Sequence, residues 1–208
     1  MSLLADREKL LLLRIARRAL VLAVEHGGEF LEQFSPEETF REDTLDFGGA
    51  FSTLRRGSRL RGCIGQLVSG VPLANLVAYS ARAAALNDPR FKPVAAHELG
   101  EIDIELSILS PAKDLAPAQI EPGQHGLIVS SGEKRGLLLP QVAREYGWSA
   151  ERFLEETCLK AGLPANAWKL ESTRIQVFTA EVFSESGLGF DKRSAALSAR
   201  ENGYSNST

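Results

Sequence analysis

Residues 101–109, EIDIELSIL, constrain the fold more than any other stretch of this chain. Its apolar positions, every second residue, are Ile102, Ile104, Leu106 and Ile108. Successive side chains of a strand point to opposite faces. The pattern therefore predicts a half-buried β-strand with Asp103, Glu105 and Ser107 on its polar face.

Apolar periodicity and turn residues predict the other elements of the first half. A helix is expected over about residues 4–26, where apolar residues recur at helical spacing. Its arginines fall largely on the opposite, polar side: Arg14, Arg17 and Arg18. A β-hairpin is expected over residues 48–67 with Gly57 at its turn, followed by a helix that starts near Pro72.

The second half repeats this order of elements. Residues 126–139 predict a hairpin with Gly132 at its turn, and Pro140 opens a short helix. Ser149 is the expected N-cap of a longer helix that ends near Gly162. The stretch RIQVFTAEVF predicts a late strand.

Hairpin, helix and strand in each half predict an α+β fold with two similar lobes. We expect lobes at approximately residues 30–115 and 116–188, within a single domain of residues 1–190. Residues 191–208 contain few large apolar side chains and are expected to form a mobile tail.

Composition excludes several functional classes. The formal net charge of −3 in 208 residues disfavours a protein that coats nucleic acid. No apolar run reaches the roughly 18–20 residues of a membrane span. Two cysteines cannot build a disulfide framework and no signal peptide is evident, so a cytoplasmic location is expected. The dinucleotide, phosphate-loop and hydrolase signatures GxGxxG, GxxxxGK[ST] and GxSxG are absent from the sequence.

Residues 60–67, LRGCIGQL, contain the leading candidate site. In a regular strand one face would carry Leu60, Gly62 and Ile64, and the other Arg59, Arg61, Cys63 and Gly65. Positive charge beside Cys63 favours its thiolate, which is a nucleophile and a soft metal ligand. Glycines let a ligand or another strand approach closely. The alternative is that Cys63 is a small buried residue, as free cysteines often are.

The densest basic cluster precedes and overlaps this block: Arg55, Arg56, Arg59 and Arg61. Guanidinium groups bind phosphates and carboxylates through paired hydrogen bonds, so the cluster can hold an anionic ligand. The arginines can instead pair across the sheet with acids such as Asp103 and Glu105, or be solvated. Pairing or solvation is favoured for Arg55 and Arg56, and ligand binding for Arg61.

His125 is the histidine with the most suggestive surroundings. It lies between Gly123 and Gly126 where a loop enters a predicted strand, and such loops often carry functional groups. It could serve as a base or a hydrogen-bond donor, or have no chemical role. Cys158 lies mid-helix among apolar residues, where core packing is the default. No HExxH or CxxC spacing occurs, so neither a metal site nor a cofactor is predicted.

Five blocks of the sequence, in order, closely resemble the AMMECR domain family. They are LRGCIGQL, YSARAAALNDPRFKPV, ELGEIDIELSILSP, GQHGLIVSSGEKRGLLLPQVAREYGW and FLEETCLKAGL. The resemblance covers roughly residues 10–186, and bacterial and archaeal members are known as AmmeMemoRadiSam system protein A. It implies an α+β fold with two lobes of unequal size, built of mostly antiparallel sheet with flanking helices.

The resemblance also implies partners, namely a Memo-like protein and a radical S-adenosylmethionine protein. It supplies no reaction, because the biochemical activity of the family is not established. In a first hypothesis the chain is a binding or accessory protein that acts through a cleft around the RGCIG block. Arg61, Gly62 and Gly65 would then bind a partner or a small anionic ligand.

In a second hypothesis the chain is an enzyme. Cys63 would be its nucleophile or soft ligand, His125 its acid or base, and Glu105 a further residue of the same cleft. Binding of RNA or DNA through the arginine hairpin is a third hypothesis, which the acidic charge balance and the lack of interleaved aromatic residues disfavour.

Overall fold

The computed structural model describes residues 4–27, 47–68, 70–192 and 195. Its helices with described bounds are α1 (Asp6–His26), α2 (Leu73–Leu86), α3 (Pro140–Tyr146) and α4 (Ala150–Lys160). Its strands are β1 (Gly49–Arg56), β2 (Arg59–Leu67), β3 (Ile102–Leu109), β4 (Lys113–Asp114), β5 (Gly126–Ser131), β6 (Lys134–Leu138), β7 (Arg174–Phe178) and β8 (Ala180–Ser184). None of the described helices is long and apolar enough to cross a lipid bilayer.

The strands form two antiparallel four-stranded sheets, in the orders β2-β1-β3-β8 and β4-β7-β5-β6. Both predicted hairpins are present, as β1–β2 and β5–β6. The predicted α+β class, with mostly antiparallel sheet and flanking helices, is therefore confirmed.

The late strand predicted from RIQVFTAEVF is two strands, β7 and β8, which belong to different sheets. The break falls at Thr179, whose backbone pairs with Ser110. Ser110 N donates to Thr179 O at 2.9 Å, and Thr179 N donates to Ser110 Oγ at 3.0 Å. The stretch RIQVFTAEVF contains no glycine or proline, so its apolar pattern predicts one continuous strand.

The chain divides into two compact units. The first comprises Met1–Ile108 and Glu181–Thr208, and the second Leu109–Ala180. The sequence predicted two consecutive lobes. The first unit instead combines two separate parts of the chain, because the residues from Glu181 onward rejoin residues 1–108. The predicted tail, 191–208, lies almost entirely outside the described residues.

The buried face predicted for β3 is confirmed in the core of the first unit. Ile102, Ile104, Leu106 and Ile108 are all fully buried. Asp103 and Glu105 alternate with them and are half-buried, whereas Ser107 is buried as well. α2 packs against β1 and β2, and α1 packs against α2.

Arg17 of α1 is 1% exposed, so its predicted place on the polar side of the helix is wrong. Its Nε donates to Glu185 Oε1 at 2.7 Å, and its Nη2 donates to the same carboxylate. Arg17 also donates to the carbonyl oxygens of Leu99 and Ile102, and Glu185 accepts from the Ile104 N–H. An ion pair between residues 168 positions apart thus compensates a charge that the helix pattern alone assigns to solvent.

The second unit has its own core, on which α4 packs. Ser149 caps α4 as predicted, with its Oγ accepting from Arg152 N at 3.2 Å. Cys158 is fully buried beside Val129 and Ala167, and burial raises the pKa of its thiol. The core role predicted for Cys158 is confirmed.

Candidate functional site

The RGCIG block, residues 61–65, lies on β2, one of the two edge strands of the first sheet. Cys63 pairs there with Thr53 of β1. Gly62 faces α2, because a Cβ at this position would lie 2.1 Å from the Ala84 carbonyl oxygen. Cys63 follows Gly62 in the strand, so its side chain lies on the sheet face turned away from α2.

A β-bulge at Arg61 interrupts the regular alternation of β2. Arg55 pairs with Leu60 and Leu54 pairs with Gly62, so Arg61 is the extra residue. Opposed residues of an antiparallel pair share a face, which puts Leu60 beside Arg55. Leu60 is 37% exposed and does not share the face of Gly62, which contradicts the prediction from regular alternation.

The Arg61 guanidinium binds groups of the protein itself. Its Nε and Nη2 donate to the two carboxylate oxygens of Glu98 at 2.9 and 2.8 Å. Nη1 donates to the carbonyl oxygen of Lys92 at 2.8 Å, and Nη2 to that of Pro93 at 3.2 Å. These hydrogen bonds from Arg61, opposed by burial, lower the pKa of Glu98 to about 2. Arg61 therefore fastens residues 92–98 to β2, and its role toward an external anion stays a prediction.

Cys63 is held by side chains from two other elements. Thr53 Oγ1 donates to Cys63 Sγ at 3.3 Å. The Cys63 N–H donates to Asp88 Oδ2 at 2.8 Å, and its carbonyl oxygen accepts from Arg90 Nη2 at 3.3 Å. The residue is nevertheless half-buried and therefore not a fully buried core cysteine.

Asp88 and Arg90, in the turn after α2, were not predicted as site residues. The Asp88 carboxylate is 2% exposed and accepts from Arg90 Nε at 2.9 Å and from Nη2 at 2.7 Å. The Arg90 hydrogen bonds, opposed by burial, hold the pKa of Asp88 far below its usual range. The available signal was the stretch NDPRF, a charged pair around a proline inside one of the recognised blocks.

The two glycines of the block accommodate close packing. Ala84 of α2 occupies the space above Gly62, as described above. At Gly65 a Cβ would lie 2.2 Å from the Phe51 ring and 2.4 Å from the Ala50 carbonyl oxygen. Protein groups thus make the close approach predicted at these glycines, and their contact with a ligand stays a prediction.

Glu105 and His125 lie on other elements. Glu105 belongs to β3, which is separated from β2 by β1 and hence by about 9–10 Å. Its Oε1 lies 3.8 Å from Arg55 Nη2, in agreement with the pairing predicted for that arginine. His125 belongs to the second unit, where its Nδ1 accepts from the Glu121 N–H at 3.1 Å. A common role of these two residues with Cys63 stays a prediction.

Two further observations concern charge and metal binding. Arg56 pairs with Glu101 and lies 4.0 Å from Glu98, two acids that precede β3 in the chain. Within the described ranges, no group of three or more His, Cys, Asp or Glu side chains is arranged to hold a metal ion.

Comparisons with known proteins bear on the whole chain. The sequence model of the AMMECR1 family matches residues 13–183. A protein of Aquifex aeolicus is 47% identical over 145 residues, which cover 66% of this chain and 74% of the relative. A protein of Pyrococcus furiosus is 41% identical over 185 residues, which cover 84% and 86%. The crystal structure of an uncharacterized protein from Pyrococcus horikoshii, 38% identical, matches with a TM-score of 0.80 and covers 91% of this chain and 97% of that one.

Proposed function

Because this chain belongs to the AMMECR1 family, we propose that it is a cytoplasmic binding or accessory protein that acts with a Memo-like protein and a radical S-adenosylmethionine protein. The proposed contact surface surrounds the RGCIG block on β2. At its centre is the Cys63 cluster, which we define as Thr53, Cys63, Asp88 and Arg90. The family resemblance supports the choice of partners, and the geometry of the cluster supports the choice of surface.

One observation carries the choice of surface. Cys63 is half-buried, yet its sulfur, its N–H and its carbonyl oxygen are each bound by a side chain from elsewhere. A group held in one orientation loses little conformational entropy when a partner binds it. Fixing an accessible residue in this way is expected of a recognition site.

The same contacts limit how a partner can bind. The Cys63 N–H and carbonyl oxygen, on the outer edge of β2, already bind Asp88 and Arg90. An added strand therefore finds no free backbone groups at this residue. The surface instead offers the Cys63 thiol and the Arg90 guanidinium group.

The experiment mixes the purified chain with purified Memo-like and radical S-adenosylmethionine proteins of the same organism. Complexes are detected by size-exclusion chromatography, and affinity is measured by calorimetry. We expect Arg90→Gln to weaken binding by about tenfold or more, as loss of an interface arginine commonly does. Cys63→Ser preserves the size of the residue and should leave binding nearly intact.

The matched control is Arg135→Gln, which removes the same charge from an exposed position on β6 of the second unit. It should leave the affinity unchanged. Each protein is mixed at about 10 μM, which is enough to detect a complex with a micromolar dissociation constant. If the wild-type chain forms no complex with either partner, the proposed partners are contradicted. An equal loss in both arginine variants would contradict the proposed surface.

A second candidate function is an enzyme with Cys63 as nucleophile, assisted by His125 and Glu105. The Thr53 Oγ1 donor, 3.3 Å from Cys63 Sγ, favours it, because a donated hydrogen bond stabilises negative charge on sulfur. Iodoacetamide labelling near pH 6, followed at peptide level by mass spectrometry, tests the nucleophile. Cys63 should react faster in the native chain than in the unfolded chain, and Thr53→Val should reduce that rate. Labelling no faster than in the unfolded chain rules out an activated thiol.

A further inference from the structure

We propose that Arg90 is the anion-binding residue of the Cys63 cluster and that the ligand is a small molecule carrying a carboxylate or phosphate group, held beside Cys63. This inference rests on the proposed function and deepens it by naming a ligand class for the same surface. It replaces Arg61, the arginine expected from the sequence, with a residue from the turn after α2.

Arg61 is poorly suited to this role because four of its five N–H donors are already used. All three of its guanidinium nitrogens donate to Glu98 or to the carbonyl oxygens of Lys92 and Pro93. Its side chain is only 16% exposed. An external anion would have to displace a carboxylate that is 10% exposed and bound through two hydrogen bonds.

Arg90 has the opposite character. Its side chain is 54% exposed, and its Nε and Nη2 bind Asp88 while Nη2 also binds the Cys63 carbonyl oxygen. A guanidinium group carries five N–H donors, two of them on Nη1. No residue in the described part of the chain accepts from Arg90 Nη1. These two donors are available to an oxyanion.

The guanidinium of Arg90 is also held in place. The Asp88 carboxylate, which is 2% exposed, accepts hydrogen bonds from two of the Arg90 nitrogens and also accepts one from the Cys63 N–H. The Arg90 carbon Cζ lies 5.5 Å from the centre of the Phe91 ring. Because Asp88 and Phe91 fix the plane of the guanidinium group, little conformational entropy is lost when an anion binds it.

The Arg90 guanidinium contacts the residue that carries the thiol. Its Nη2 donates to the Cys63 carbonyl oxygen at 3.3 Å, within the same residue as the sulfur. An anion bound by Arg90 would therefore lie near the Cys63 sulfur. Proximity to the sulfur makes Cys63 a reporter of anion binding.

The test compares two alkylating reagents, iodoacetate and iodoacetamide, on the isolated full-length chain. In both, the Cys63 thiolate attacks the methylene carbon, the S–C bond forms, the C–I bond breaks, and iodide leaves with the bonding electron pair. The thiol proton passes to buffer. The two reagents share the carbon and the leaving group, whereas only iodoacetate carries a carboxylate. The measured quantity is the ratio of their rate constants at Cys63, followed by mass spectrometry.

We expect the wild-type ratio to exceed that of the unfolded chain. Arg90→Gln should lower it by about three- to tenfold, the range for removal of one charge at about 4–6 Å in partly solvated surroundings. The matched control is Arg59→Gln. It removes an exposed positive charge from β2, the strand of Cys63, about 13 Å from Cys63 along that strand. Most of its effect is screened at about 0.1 M salt, and the ratio should stay within about twofold of the wild type.

An unchanged ratio in Arg90→Gln, or an equal fall in Arg59→Gln, overturns the inference. A measurement on the wild type does not depend on how the variant folds. The ratio of rate constants should fall as sodium chloride rises from about 0.02 to 1 M, and a constant ratio also overturns the inference. Inorganic phosphate and acetate, added at matched ionic strength, distinguish the two ligand groups by which of them slows iodoacetate labelling. Slowing by neither counts against the site. Since no partner protein is present, failure to form the proposed complex and failure of this test are separate results.

Discussion

Glu98→Gln provides the sharpest test of how the segment beside β2 is held. Glu98 accepts hydrogen bonds from Arg61 Nε at 2.9 Å, from Arg61 Nη2 at 2.8 Å and from the Ala95 N–H at 2.9 Å. The carboxylate is 10% exposed and the Arg61 side chain 16% exposed. A glutamine of the same size keeps the shape but leaves the guanidinium without its counter-charge.

The pKa of Glu98 sets the magnitude of the effect. Its value falls from an ordinary 4.5 to about 2 in the folded chain, chiefly through the Arg61 hydrogen bonds. At about 1.4 kcal/mol per pH unit, the ionised carboxylate contributes about 3–4 kcal/mol to the free energy of unfolding. Because folding lowers this pKa, the contribution is fully present above about pH 4.5 and is lost as the pH falls toward 2.

Urea denaturation of wild type and Glu98→Gln between about pH 7 and pH 3 measures this contribution. The difference in the free energy of unfolding should be about 3–4 kcal/mol at neutral pH and should shrink below about pH 4.5. Glu101→Gln is the control, because Glu101 pairs with Arg56 but is 55% exposed, and such pairs contribute less than about 1 kcal/mol. A difference that does not depend on pH, or that equals the control, would refute this account of Glu98.

Three further substitutions and labels test packing and burial. Gly62→Ala should lower the free energy of unfolding by about 2–3 kcal/mol, because its Cβ would overlap a carbonyl oxygen of α2. The control Gly100→Ala places its Cβ in open space and should change this free energy by less than about 1 kcal/mol. Equal effects of the two substitutions in urea denaturation would contradict the packing at Gly62. Glu185→Gln should cost about 3–5 kcal/mol because it leaves Arg17 buried without a counter-charge, and a thermal melt identical to wild type would show that the pair is not needed. Cys158, buried and with a raised pKa, should resist iodoacetamide in the native chain and react once the chain is unfolded; native labelling at the unfolded rate would disprove its burial.

Most helices and strands were predictable because their signals are local. Alternation at residues 102–108 identified β3 and its buried face. Gly57 and Gly132 both adopt positive φ and mark the two hairpin turns, a conformation that glycine adopts without strain. The failure was the break at Thr179, where the determining contact is with Ser110, 69 residues earlier.

The candidate site was predictable only in part. Strand alternation placed Cys63 on the face opposite Gly62, and in the structure α2 covers the Gly62 side. The bulge at Arg61 depends on how β1 and β2 pair, which no single strand reveals. Asp88 and Arg90 lie 25 and 27 residues from Cys63, and α2 must fold back along β2 before they can reach it.

The amino-acid pattern thus determined which segments are helices or strands and which face of each is apolar, since these properties depend on residues a few positions apart. The partner of each charged side chain depended instead on contacts across the folded chain. Arg17 and Arg61 are both arginines in basic stretches, yet each is neutralised by a distant carboxylate, Glu185 and Glu98. Arg90 also depends on such contacts, since Asp88 and Cys63 engage its Nε and Nη2 and no described residue accepts from its Nη1. The energy of a charge depends on the groups and solvent that surround it after folding, and in this chain those groups come from remote positions.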